Sequence, residues 1–171
     1  MAWSQYRNAV ASGRIRTKVS VGPQRALMLL AMTERQARSI DVFFYGLFMD
    51  DVLLQEKGLN PKNRRIASVE NFCLVIGSRA TLVPCPGQTA HGVIFSLMHC
   101  EVDALYAEAS VSVYRPEAVS ARLVDGSVIP ALCFNLPSPP SLEERNAEYA
   151  NRLRKLATRI GLPSDYVLSI E

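Results

Sequence analysis

The stretch VFFYGLFMDD, residues 42–51, holds the first residues whose order could do chemistry. An apolar run meets Gly46, and glycine tolerates backbone angles that other residues avoid, so a strand can stop sharply there. Successive N–H groups at such a turn can converge on an anion. Other chemistries lack their residues. There is no GxSxG, so a Ser–His–Asp triad has no nucleophile motif. GSRAT at 77–81 lacks the phosphate-loop lysine, and no GxGxxG follows a strand. His91 and His99 are the only histidines, and Cys73, Cys85, Cys100 and Cys133 are scattered without a CxxC pair. That spacing fits no metal site, and the cysteines read as four reduced, free thiols. No metal is therefore expected. A carboxylate and a backbone-donor loop remain as chemical candidates.

The elements that must position them can be read from patterning. VFFY is a short, continuously apolar strand, as expected for one covered on both faces. Lys62–Arg65 reads as a basic patch in a polar loop. IASVENFCLVIG at 66–77 is rich in branched and aromatic residues and predicts a long strand. ATLVPCPG predicts a short strand ending in a proline- and glycine-bounded turn, and AHGVIFSL at 90–97 a further strand. CEVDALYAE at 100–108 puts Val102, Leu105 and Tyr106 on one side of a short helix. Asp125-Gly126, between YRPEAVSARLV and VIPALCFNL, is a hairpin signal. Ser141 with Glu144 forms a capping-box pattern. It opens a helix whose stripe is Leu142, Tyr149, Leu153, Leu156 and Ile160, and which Gly161 and Pro163 stop. Strands and helices do not alternate regularly. The order predicts an α+β fold with a small mixed or antiparallel β-barrel and flanking helices.

The 171 residues fit one domain with an extension. A hydrophobic content of 49% supports a sizeable core, and no apolar run is long enough to span a membrane. Residues 1–40 carry seven basic side chains against Glu34 alone, a net of +6 that leaves −3 for the remaining 131 residues. This stretch is Arg-rich and acid-poor like an organellar transit peptide, and reads as a mobile or weakly packed basic extension, with residues 41–171 as the folded domain. It has no nucleic-acid module signature, so neither a nucleic-acid nor a membrane partner is expected. With reduced thiols, the setting expected is cytoplasmic.

From residue 42 onward the chain resembles the gamma-glutamylcyclotransferase-like superfamily. The features are Tyr45-Gly46-Leu47-Phe48 at a strand end, ATLVPCPGQTAHGVIF at 80–95, ALYAEAS followed by YRPEAV, and the late NAEYANRLRKLATRIGLPSDYV. The superfamily's corresponding helix ends in Leu-Asp-x-x-Glu-Gly. The resemblance spans roughly residues 42–168. It implies a small, nearly closed barrel with helices packed around it.

It also implies a cofactor-independent reaction of transferase or lyase type. The free α-amine of a γ-glutamyl group attacks its own γ-carbonyl, giving 5-oxoproline and a released amine or amino acid. Such ring closure needs orientation, a base and donors for the carboxylate and the developing oxyanion. Carried over, the base is Glu108. Tyr45, Gly46, Leu47 and Phe48 form the loop at the substrate, Arg79 is a carboxylate partner, and Phe134 stands where some members carry a substrate-binding tyrosine. Leu47 replaces a polar residue and Ala109 a glycine. These departures keep a second expectation open, a non-catalytic metabolite-binding barrel of the same fold.

Overall fold

The computed structural model describes Gln24, residues 38–141 and residues 143–171. The expected mobility of the basic extension therefore falls outside the described residues, Gln24 and residues 38–40 apart. Strand β1 (Ser39–Phe44) begins two residues before the expected boundary at 41. It is followed by a 3-10 turn (Leu47–Met49), helix α1 (Asp51–Glu56), β2 (Lys62–Ile76), β3 (Ala80–Met98), α2 (His99–Tyr106), β4 (Arg115–Leu123), β5 (Val128–Asn135), α3 (Ala147–Ile160) and α4 (Ser164–Leu168).

The five strands close into a barrel in the order β1-β3-β2-β4-β5. All pairings are antiparallel except β1 with β5, which meet in parallel at Val42 and Leu132. The fold is the α+β barrel with flanking helices that the patterning predicts. Closure gives every strand two neighbours. Phe43, Phe95, Ile94, Leu97 and Leu105 are among the side chains sealed inside. Each contributes on the order of 1.5–3 kcal/mol by leaving water.

Several boundaries differ from the sequence reading. Lys62–Arg65 is strand, not loop, and opens β2 through a bulge where Asn63 takes a left-handed φ of 51°. ATLVPCPG and AHGVIFSL are one strand, β3, of 19 residues. The turn residues are absorbed by a second bulge between Glu70 and Phe72. There Asn71 has φ 63°, Gly87 has φ 79°, and the Gly87 amide donates to Asn71 Oδ1 at 3.0 Å. The last long helix starts at Ala147, capped by the Asn146 side chain, instead of at Ser141. Glu144 still accepts from the Ser141 amide at 3.1 Å, but its other oxygen accepts from the Ser78 amide at 3.1 Å. The capping-box pair thus ties a strap to the β2–β3 turn instead of opening a helix. Leu142 lies outside the described residues. Gly161 ends α3 in the left-handed conformation, as expected.

The cysteine expectation is corrected. Cys73 and Cys85 form a disulfide with Cα atoms 5.5 Å apart, while Cys100 and Cys133 are free. The pairing follows from register: Cys73 lies opposite Val83, so Cys85 is its diagonal neighbour on β3. The bridge withdraws the thiol argument for a reducing compartment. Among the described residues no helix is long and apolar enough to cross a membrane. Unfolded without reductant, the protein should titrate two thiols, and four after reduction. Four thiols without reductant would show that the bridge does not form.

Candidate functional site

At one end of the barrel, β1 and β5 run out side by side, the β2–β3 turn folds over, and the chain leaves α2. These ends enclose a cavity of about 220 Å³. Its size is below the roughly 300–1,000 Å³ of pockets for drug-sized ligands, which suits a compact metabolite.

One wall is the loop singled out in the sequence. Tyr45, Gly46, Leu47 and Phe48 all line the cavity. Gly46 is extended, with φ −108° and ψ −157°, so it does not use backbone angles that other residues avoid, the reason the sequence reading gives for it. Its reason is space: a Cβ on Gly46 would lie 2.6 Å from the Tyr149 hydroxyl. Tyr149 stands in the first turn of α3, where the Asn146 cap accepts its amide at 3.0 Å. Its hydroxyl reaches over Gly46 to accept from the Leu47 amide at 3.4 Å. Gly46→Ala should destabilise the fold by about 1–3 kcal/mol, the usual cost of overpacking. Adding Tyr149→Phe should recover much of that loss, because the hydroxyl is the colliding atom. Urea midpoints of the single and double variants check this, and additive losses would contradict it.

The opposite wall carries Arg79 from the β2–β3 turn and Phe134 from the end of β5. Phe134 stacks on Tyr106 with ring centroids 3.6 Å apart and planes 11° apart. Its carbonyl accepts from the Tyr45 hydroxyl at 2.6 Å. Tyr114 donates to the Ala80 carbonyl at 2.6 Å. Burial raises the pKa of Tyr45, Tyr106 and Tyr149, and pushes Tyr114 up to about 12, with Tyr149 adding to the rise and Arg79 opposing it. All four phenols stay protonated near neutrality. Tyr45 and Tyr114 donate, Tyr149 accepts, and all four serve as ring walls, not as bases.

The structure thus brings together six of the seven residues expected at the site. Glu108 is the seventh, and it does not line the cavity. It sits just past the end of α2 with Oε2 2.5 Å from Lys57 Nζ, and its side chain is 38% exposed. Lys57 Nζ lies 5.8 Å from the centre of the Phe48 ring, so the ion pair spans the rim beside Phe48. The residue from α2 that does enter is Tyr106. Counted from Asp103, the Asp-x-x-Glu spacing also falls on Tyr106, two residues before Glu108. Sequence reasoning passed over Tyr106, Tyr114 and Tyr149 because at helical or strand spacing each reads as core.

No protein-family model matches the chain, and no curated protein matches it either. Solved structures do. A gamma-glutamyl cyclotransferase superposes with a TM-score of 0.67 at 19% identity, over 78% of this chain and 89% of that one. An uncharacterized protein from Homo sapiens gives 0.65 at 20% identity, over 78% and 88%. YkqA from Bacillus subtilis gives 0.64 at 22% identity, over 80% of this chain and 54% of its own. Likeness at these identities is a likeness of fold. This chain has the gamma-glutamylcyclotransferase-like fold.

Proposed function

We propose that the chain is a metabolite-binding barrel whose ligand seats a carboxylate on Arg79 and lies between aromatic walls. One observation carries this reading. Among the described residues that line the cavity, Arg79 is the single charged side chain, and there is neither a carboxylate nor an imidazole. Arg79 takes part in none of the four ion pairs found among the described residues. A half-buried guanidinium without a counter-charge favours an anion, which it can hold through paired N–H donors. A general base must come within about 2.6–3.2 Å of the proton it takes, and no lining side chain offers one.

Calorimetric titration tests the reading with two near-isosteres, glutaramate and its uncharged diamide, glutaramide. Glutaramate should bind and glutaramide should bind at least about tenfold more weakly, the loss of one charge-assisted contact. Equal binding of the two, or none by either, would refute it.

A second reading has its own support. The fold is shared with a gamma-glutamyl cyclotransferase. Glu108 also stands in the chain between Tyr106 and Ser110, both of which line the cavity. In this reading the protein is an enzyme that forms 5-oxoproline from a γ-glutamyl amine or amino acid, with Glu108 as general base once it leaves Lys57. Catalytic contacts do tighten when substrate binds. The ion pair must then break for the base to act.

A further inference from the structure

We infer that the cavity selects a carboxylate ligand whose remaining body is uncharged, and that it rejects the zwitterionic form of the same ligand. This rests on the carboxylate reading above and goes on to specify the ligand class. Donors and acceptors are unbalanced around the cavity. Three of its carbonyl acceptors are committed. The Phe134 carbonyl takes the Tyr45 hydroxyl, and the Ala80 carbonyl takes the Tyr114 hydroxyl, each at 2.6 Å. The Gly46 carbonyl takes the Met49 amide at 3.0 Å. The two carboxylates near the rim are also committed, Glu108 to Lys57 and Glu144 to the amides of Ser78 and Ser141.

The donors are in the opposite state. Among the described residues the Arg79 guanidinium joins no ion pair and the Tyr106 hydroxyl makes no hydrogen bond. A ligand carboxylate therefore finds partners, while a ligand ammonium finds hydroxyls but no carboxylate among the described lining residues, and shares a small cavity with a guanidinium. A buried ammonium without a counter-charge is strongly unfavourable. Aromatic faces can hold a cation, but here they are taken in part. Tyr106 and Phe134 cover one face of each other, and Lys57 already stands near the Phe48 ring. The preferred ligand is a compact monocarboxylate bearing an amide, lactam or other neutral polar group for the Tyr106 hydroxyl.

The test uses glutaramate and L-glutamine, which differ only in the α-ammonium, with 5-oxoproline as a cyclic neutral-bodied carboxylate. Each is titrated calorimetrically into the full chain near neutral pH. Glutaramate and 5-oxoproline should bind, and L-glutamine should bind at least about tenfold more weakly. Tyr106→Phe, which keeps the stack on Phe134, should weaken glutaramate and leave thermal stability unchanged. L-glutamine binding as tightly as glutaramate, or more tightly, overturns the inference and leaves the carboxylate reading standing. Binding by none of the three overturns both.

Discussion

Replacing Gly92 by alanine should lower stability by about 3 kcal/mol, at the upper end of what overpacking costs. In a domain of this size that is a fall of about 10 °C in the unfolding midpoint. Gly92 sits where β3 crosses β1, beside the register pair Phe44–Val93. A Cβ there would land on the Phe44 carbonyl oxygen and within 2.8 Å of the Phe43 ring. The first of these is backbone, and Phe43 is 1% exposed, so neither can move aside cheaply. The two strands would have to separate at the end of β1 that feeds the Tyr45–Phe48 loop, so the variant should lose ligand affinity as well as stability. Differential scanning calorimetry measures the shift. A midpoint within about 2 °C of wild type would mean that β1 and β3 do not approach this closely.

The second large effect is expected at Arg79. Arg79→Met keeps much of the side-chain length and its apolar stem but removes the charge and all donors. A hydrogen bond to a charged group is worth about 1.5–3 kcal/mol, so glutaramate affinity should fall by about 10- to 100-fold. The melting temperature should hold, because Arg79 is outside every ion pair seen among the described residues. Arg79→Lys should fall in between, since an ammonium supplies charge without the planar fork. An Arg79→Met affinity within about threefold of wild type, less than one such bond accounts for, would remove the anchor from the account.

Most of the barrel is legible in the sequence, and the reasons it fails in places are physical. The β4–β5 hairpin follows from Asp125-Gly126, where Gly126 takes φ 85° and Asp125 accepts from the Ser127 amide. The α3 stop follows from Gly161. The length of β3 does not follow, because Pro84, Pro86 and Gly87 are turn residues by every local criterion. Only the bulge opposite Asn71 lets the strand pass through them. The disulfide is hidden for a related reason. Two cysteines 12 residues apart say nothing until the β2–β3 register sets Cys85 diagonal to Cys73.

The site divides in the same way. Tyr45 to Phe48, Arg79 and Phe134 lie far apart in the chain and are joined in the sequence reading by resemblance alone, which the barrel then brings to one cavity. Glu108 and Tyr106 are two residues apart at the exit of a short helix. There the difference between facing the cavity and facing Lys57 is about half a turn. No pattern in ALYAEAS fixes which of them turns inward. The pocket residues that matter most beyond the loop, Tyr106 and Tyr149, look like packing in the sequence because they also are packing. Each buries its ring, and Tyr149 also uses its hydroxyl, on the Leu47 amide.

Among the described residues, the cavity is lined by one guanidinium and by no carboxylate or imidazole. The most direct measurement is release of 5-oxoproline from a panel of γ-glutamyl amines and γ-glutamyl amino acids, with Glu108→Gln run beside the wild type. The expected result is no 5-oxoproline above the protein-free blank from either protein, with glutaramate binding intact in both. Release by the wild type that falls a hundredfold or more in Glu108→Gln, a loss typical of a missing general base, would contradict it. That outcome would make Glu108 the base and the chain a cyclotransferase.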